Sequence, residues 1–189
     1  MLNRIRVVTM LMMVLVIFAL LQLISGGLFF SSLKQNQDSF AASNDLRMQQ
    51  SELTTTWDLM LQTRINLSRS SARMMMDPNN QQSSAKTELL KNARATLADA
   101  AKHYEAFKKI APQPAMAQAS ANIDEKYLAY FAGLTELVQF LEKGNMDAYF
   151  AQPTQGMQNA LGAALGEYAK ASGELYHSAF TQSQNDYRF

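Results

Sequence analysis

The feature that most constrains the fold is an uncharged apolar segment near the N-terminus. It runs from Val7 to Phe30, 24 residues rich in Val, Leu, Met, Ile and Phe. As an α-helix it would extend about 36 Å, more than the hydrocarbon core of a bilayer, about 30 Å. A cleaved secretory signal has a shorter apolar region of about 7–15 residues, and Ser25-Gly26-Gly27 is only a weak match to its cleavage site. We therefore predict an uncleaved transmembrane helix over residues 7–30.

The charges around this segment predict its direction. Arg4 and Arg6 precede it, and the first charged residue after it is Lys34. Positive residues are retained on the cytoplasmic side of a membrane. Residues 1–6 are therefore predicted to be cytoplasmic, and residues 31–189 to lie across the membrane.

The composition argues against several classes of function. The chain has 189 residues, with 17 Lys and Arg against 16 Asp and Glu, so its net charge does not favour a nucleic-acid partner. It contains no cysteine, which excludes disulfides, thiolate metal sites and thiol catalysis. His103 and His177 stand alone, without the spacing of metal ligands. We expect no metal, no cofactor and no enzymatic activity.

Four helical stretches follow the apolar segment. Pro and Gly separate them at Asp77-Pro78-Asn79-Asn80, at Pro112 and Pro114, and at Lys143-Gly144-Asn145, and the last begins near Pro153. Each stretch contains apolar residues that recur at helical spacing. In chain order of the four stretches, these residues are Leu46, Leu53, Met60, Leu67 and Met74; Leu90, Ala93, Leu97, Ala100, Tyr104 and Phe107; Ile123, Tyr127, Tyr130, Leu134, Leu137 and Leu141; Met157, Leu161, Leu165, Tyr168 and Leu175. One apolar stripe per helix and short connections predict an all-α fold, an elongated antiparallel four-helix bundle.

Three arginines in the first stretch point to an anion. Arg64, Arg69 and Arg73 lie in a window from Leu59 to Met76 that contains no acidic residue. Guanidinium groups without acidic neighbours bind carboxylates well, because their planar donors match the two carboxylate oxygens. The alternative is that these arginines form an ordinary solvated helix face.

Helix geometry separates the three arginines. Arg69 and Arg73 lie about 40° apart, whereas Arg64 lies about 140° from Arg69. One straight helix therefore cannot aim all three at a small ligand. Two copies packed along a Leu53-Trp57-Met60-Leu67 seam would bring Arg64 of one chain to Arg69 and Arg73 of the other, and a twofold homodimer would hold two such sites.

A second polar element stands at the start of the last stretch. The segment Tyr149 to Gly156 is a turn that enters a helix through Pro153. Its backbone carbonyls can accept hydrogen bonds from an ammonium group, and the Thr154 hydroxyl can bond an ammonium or a carboxylate. The alternative is an ordinary helix start. An acidic amino acid would use both elements.

The stretches Trp57 to Arg64 and Tyr149 to Met157 resemble bacterial methyl-accepting chemotaxis receptors, in particular the aspartate-receptor type, and the resemblance covers the whole chain. It implies an inner-membrane protein whose periplasmic four-helix bundle, residues 31–189, forms a homodimer that binds an amino acid between its subunits. It implies that the ligand's carboxylates meet Arg64, Ser68, Arg69, Arg73 and Thr154, and that Tyr149, Phe150 and Gln152 line its ammonium end, chiefly through main-chain oxygens. Serine-type relatives tend to carry Asn where this chain has Ser68 and Phe where it has Tyr149, so the resemblance favours aspartate.

The same resemblance sets further expectations. Family members continue into a second membrane span and a cytoplasmic signalling coiled coil, so we expect signalling to need segments beyond Phe189. A periplasmic binding protein is a further candidate partner. The alternatives are a membrane-anchored bundle that senses another small anion, such as serine, citrate, another dicarboxylate or phosphate, and a structural coiled-coil anchor without a ligand.

Overall fold

The computed structural model describes residues 2–79 and 84–186, and the side chains of residues 9–79, 85–178 and 181. The α-helices of this part of the chain are α1 (Leu2–Met76), α2 (Ser84–Lys109), α3 (Ala117–Glu142), α4 (Met146–Ala151) and α5 (Thr154–Asp186). A short 3-10 turn, Pro114–Met116, precedes α3. No β-strand occurs among the described residues, and the predicted all-α class is confirmed.

The chain divides into two compact units, Met1–Ala42 and Ser43–Phe189. In the first unit, α1 carries the apolar segment, and its large side chains are exposed, for example Phe18, Leu21 and Phe29. By length and composition this part of α1 can cross a membrane. The limits of the span at residues 7–30 and its direction stay predictions from the sequence.

In the second unit, α1 and α2 run antiparallel. The Thr63 hydroxyl lies 2.7 Å from that of Thr96. Further back along α1, a Glu52 oxygen lies 2.6 Å from Nδ1 of His103. Residue numbers thus fall along α2 as they rise along α1.

The other helix pairs repeat this alternation. Arg94 Nε donates to Glu142 Oε1 at 2.6 Å, and the Tyr104 hydroxyl donates to Asp124 Oδ1 at 2.6 Å, so α2 and α3 are antiparallel. The Tyr168 hydroxyl donates to Gln49 Oε1 at 2.7 Å near the beginning of the α1 segment in this unit. Arg64, further along α1, contacts the first turns of α5. The predicted antiparallel four-helix bundle is confirmed, and α5 with its 33 residues extends about 50 Å.

The predicted apolar stripes form the core. Every apolar position predicted for α2 and α3 is buried, and Tyr104, Tyr130 and Leu134 are at most 1% exposed. Tyr104 also stacks on Tyr127 with ring centroids 3.6 Å apart. In α5, Leu161 and Tyr168 are buried, while Met157, Leu165 and Leu175 are half-buried against the core. The 3.6-residue period therefore identified the inward faces correctly.

The dimer seam predicted along α1 is wrong. Leu53, Met60 and Leu67 are 2%, 0% and 0% exposed within a single chain, in contact with the other helices of the same bundle. Trp57 packs partly buried on the same core. A heptad pattern reports that a helix packs, but it does not distinguish a partner helix in the same chain from one in a second copy. These seam residues are therefore not available for contact with a second copy.

A second row of α1 residues is buried and polar. Gln49, Thr56, Thr63 and Ser70 follow one another at seven-residue spacing, all at most 3% exposed. Thr56 donates to the Glu52 carbonyl at 2.8 Å, so its hydroxyl is satisfied within the helix. These small or hydrogen-bonded side chains let α1 lie in the core without an apolar residue at every inward position.

The ends of the helices follow the predicted breaks. The α1 helix stops at Met76 before Pro78, while Asn80 lies outside the described residues. Gly144 has φ of 69°, a left-handed conformation that glycine adopts without strain, and it follows α3 directly after Lys143. The α5 helix begins at Thr154, immediately after Pro153. The helix α4 was not predicted from the sequence; it has six residues and no buried side chain.

Candidate ligand-binding site

Arg64 lies half-buried between α1 and α5. Its Nη1 donates to Gln155 Oε1 at 2.7 Å and also contacts Gln158 Oε1. The Tyr130 hydroxyl of α3 donates to the same Gln158 oxygen at 3.2 Å. Three helices therefore hold this guanidinium through neutral amide oxygens, which leave its charge uncompensated.

Tyr130 supports this arrangement as a neutral hydrogen-bond donor. Burial raises the pKa of Tyr130 to about 12, and the nearby Arg64 guanidinium acts in the opposite direction. The phenol therefore stays protonated at neutral pH. It fixes the Gln158 amide so that the oxygen faces Arg64.

Around α1, Arg69 and Arg73 lie about 140° and 180° from Arg64, whereas Ser68 lies about 40° from Arg64. The side chains of Ser68, Arg69 and Arg73 are all exposed. Within the described part of the chain, neither arginine has an acidic partner within 4 Å, as the sequence predicted. Arg73 stands in the last turn of α1, where a cation also interacts favourably with the helix dipole. The pair forms an open positive surface.

The corner between α4 and α5 is held by side chains. Asn145 caps α4 by accepting from the Ala148 amide at 3.1 Å. Thr154 is buried, and its hydroxyl donates to Gln152 Oε1 at 2.8 Å. Gln152 in turn donates to Glu136 Oε2 of α3 at 2.7 Å. The corner is therefore tied to α3, and its conformation does not depend on α5 alone.

The aromatic residues of α4 stand at the surface of this corner. Phe150 is 59% exposed, and its ring meets the half-buried Tyr149 ring edge to face, with centroids 5.2 Å apart. Both residues lie in the last turn of α4, whose carbonyl groups have no partners within the helix. The corner thus offers main-chain acceptors beside two aromatic rings.

The predicted site residues fall into two groups. The first group, here the α5 group, comprises Arg64, which contacts Gln155 and Gln158 of α5, and the corner residues Tyr149, Phe150, Gln152 and Thr154. The second, the exposed arginine group, consists of Ser68, Arg69 and Arg73. Because Arg64 faces α5 while the exposed arginine group faces solvent, a single chain does not surround one small ligand with all three guanidinium groups.

Three side-chain contacts made by the α5 group were not predicted from the sequence. Gln155 and Gln158 are separated from Arg64 by 91 and 94 residues, and Glu136 lies 16 residues before Gln152. The only local signal was the pair of glutamines three residues apart, which share a helix face. Their partner on another helix was not predictable from that spacing.

Comparisons with known proteins converge on one family. Residues 1–174 match the family described as Tar ligand binding domain homologue. The chain is 38% identical over 189 residues to methyl-accepting chemotaxis protein I of Escherichia coli K12, covering 99% of this chain and 34% of that protein. It is 29% identical over 188 residues to the methyl-accepting chemotaxis aspartate transducer of Klebsiella aerogenes, covering 99% of this chain and 34% of that protein. It is 28% identical over 191 residues to the methyl-accepting chemotaxis citrate transducer of Salmonella typhimurium, covering 98% and 34%. The chain thus spans about a third of the length of these relatives.

Proposed function

The chain belongs to the family of Tar ligand-binding domain homologues, the ligand-binding domains of chemotaxis receptors, and from that premise we propose that it binds aspartate between two copies of itself. In this proposal the α5 group of one copy and the exposed arginine group of the other surround one ligand molecule. The bundle lies in the periplasm, and residues 7–30 anchor it in the inner membrane.

The observation that carries this proposal is the exposed arginine group itself. Its two guanidinium groups have no acidic partner in the described part of the chain, and they lie on the helix that also carries the half-buried Arg64. Two-pronged carboxylate binding is the strongest use of such groups. A second copy is the simplest source of the missing cations for each site, since a twofold axis supplies the same residues twice.

The face of α1 that two copies would share follows from the exposures. Ile65 is 50% exposed, and Ala72, seven residues later, is also exposed. At 100° per residue these two lie about 140–160° from the buried Leu67. Ser68 and Arg69 flank this exposed row within about 60° of Ile65. A dimer formed on this row would place the exposed arginine group of each copy beside its partner.

Aspartate is favoured over other anions because the α5 group offers acceptors as well as donors. An α-ammonium group can bond the carbonyl oxygens at the end of α4, and two carboxylates can bond three arginines. The resemblance of Ser68 and Tyr149 to the aspartate-receptor type also favours aspartate. Citrate is the second candidate, because three guanidinium groups also suit a tricarboxylate and one relative is named a citrate transducer.

The contacts of Arg64 suggest how binding would reach α5. Gln155 and Gln158 both belong to α5, so a ligand that draws Arg64 toward a carboxylate changes the contacts that hold α5 against α1. Each charge-assisted hydrogen bond contributes about 1.5–3 kcal/mol. Several such bonds, reduced by the cost of ordering, are consistent with micromolar affinity, about 8 kcal/mol. Binding must favour one position of α5 over another if a displacement is to be transmitted.

Calorimetric titration of the full chain in lipid nanodiscs tests the proposal. We expect aspartate to bind with micromolar affinity, and succinate, which lacks the ammonium group, at least about tenfold more weakly, equivalent to about 1.4 kcal/mol. Serine and citrate complete the panel. If citrate or serine binds more tightly than aspartate, that compound is the ligand instead of aspartate. If none of the four compounds gives a heat of binding, the proposal is contradicted.

A further inference from the structure

A second recess lies far from the arginines, at the connection between α2 and α3. It is an open cavity of about 270 Å³. Its lining comes from three helices and their connecting segment: Gln49, Tyr104, Phe107, Lys108, Ser120 and Asp124 are among the residues around it. Gln49 and Arg64 are 15 residues apart in α1, about 22 Å along the helix. The cavity is therefore separate from the candidate aspartate site.

Asp124 gives this cavity a negative charge. The carboxylate is half-buried, and its Oδ1 accepts from the Tyr104 hydroxyl at 2.6 Å. Among the described residues, no cationic group lies within 4 Å of Asp124. A partly buried carboxylate without a cation attracts one, because the nearby protein screens charge less than water does.

The lysine of the lining, Lys108, interacts with Asp124 but is paired more closely with another carboxylate. Lys108 Nζ lies 2.8 Å from Glu105 Oε1, so its charge is already paired within α2. Asp124, Glu105 and Lys108 together carry one net negative charge. The neighbourhood therefore favours a positive ligand over a negative one.

Aromatic rings complete the lining. Tyr104 and Phe107 lie with ring centroids 5.6 Å apart, and Lys108 Nζ lies 5.4 Å from the Tyr104 ring centroid. This distance is within the range of a cation–π interaction, about 6 Å, so the ring can contribute to binding a cation. Burial and the Asp124 carboxylate both raise the pKa of Tyr104, so the phenol stays a donor to Asp124 and does not add a second negative charge.

We propose that this cavity binds a small organic cation, an ammonium group attached to an apolar or aromatic body. The ammonium group pairs with the Asp124 carboxylate, and the apolar body packs on Phe107 and the segment Ile110 to Pro112. A cavity of about 270 Å³ accommodates a molecule the size of a phenylethylammonium ion. This site goes beyond the proposed binding of aspartate and does not depend on it.

Three probes of similar size and different charge test the proposal in the full chain in nanodiscs. These are 2-phenylethylammonium, the neutral 2-phenylethanol and the anionic phenylacetate, each titrated by calorimetry and by the chemical shifts of ¹⁵N-labelled residues 104–124. We expect the cation to bind about tenfold more tightly than the alcohol, the difference that one charge-assisted contact makes. Phenylacetate should bind most weakly.

Two variants assign the effect to the cavity. Asp124→Asn keeps an oxygen that can accept from Tyr104 but removes the charge, so the cation should then bind no better than the alcohol. Glu125→Gln removes the same charge from the neighbouring exposed residue, whose carboxylate already pairs with Lys126, and should leave the preference unchanged. Equal affinity for all three probes, no saturable binding, or an unchanged preference in Asp124→Asn would overturn the proposal. Aspartate affinity, measured in the same variants, should stay at the wild-type value, which separates this site from the arginine site.

Discussion

Replacement of Leu67 by alanine should lower the free energy of unfolding by about 2–5 kcal/mol. Leu67 is 0% exposed inside the bundle of one chain, so the substitution removes buried apolar contacts and leaves a cavity that the surrounding helices fill only in part. Because these contacts lie within one chain, the loss should be the same at every protein concentration. Thermal and urea unfolding of the full chain in nanodiscs, followed by circular dichroism, measures it.

A second leucine provides the control. Leu128 is 56% exposed on α3, so Leu128→Ala should change the free energy of unfolding by no more than about 0.5 kcal/mol. A loss in Leu67→Ala that appears only on dilution would place Leu67 at an interface between copies, contrary to the burial described above. Equal losses in the two variants would show that Leu67 does not belong to the core.

Replacement of Arg73 by alanine should weaken aspartate binding by about 10–150-fold, the equivalent of one charge-assisted interaction of about 1.5–3 kcal/mol. Arg73 is exposed and has no acidic partner in the described part of the chain, so little of its interaction energy is used within the fold. Its position in the last turn of α1 contributes only about 0.3–1 kcal/mol to helix stability. Arg73→Lys should recover part of the affinity, because lysine keeps the charge but lacks the two-pronged donor geometry.

Another arginine of the same helix separates a local effect from a general change of charge. Arg47 is exposed on α1 and hydrogen-bonds to Asn44, away from both ligand groups. Arg47→Ala should leave aspartate affinity unchanged. Wild-type affinity in Arg73→Ala would remove Arg73 from the site, and equal losses in both variants would indicate a nonspecific charge effect.

The pattern of apolar residues was enough to predict most of the fold. Residues such as Leu97, Tyr130 and Leu141 recur at helical spacing. An apolar stripe with that period lies on one face of a helix, and that face is buried against the core. The row containing Gln49 and Thr63 was missed, because a polar residue gives no sign of burial until its hydrogen-bond partner is known. The six-residue helix α4 was missed because it is too short to show a period.

The site was predictable in its charges and less so in its contacts. The absence of acidic residues near Arg69 and Arg73 in the sequence is matched by the absence of an ion pair to either in the described structure. The glutamines that hold Arg64 were not found, because sequence spacing says nothing about which residues of a distant helix face it. The dimer seam predicted along α1 was wrong for a similar reason, since the most regular apolar row of α1 is buried within the chain.

Mixing two inactive variants tests most directly whether one site is built from two copies. Arg64→Ala and Arg73→Ala each remove one arginine from both sites of a homodimer, so each variant alone should bind aspartate weakly. In a mixed dimer, the Arg73→Ala chain supplies an intact Arg64, and the Arg64→Ala chain supplies intact Arg69 and Arg73. One of the two sites is then complete. Random mixing of equal amounts should therefore restore high-affinity aspartate binding at about one site per four chains. If the mixture binds no more tightly than the separate variants, although exchange of chains has been demonstrated, the site does not lie between two copies and the account is contradicted.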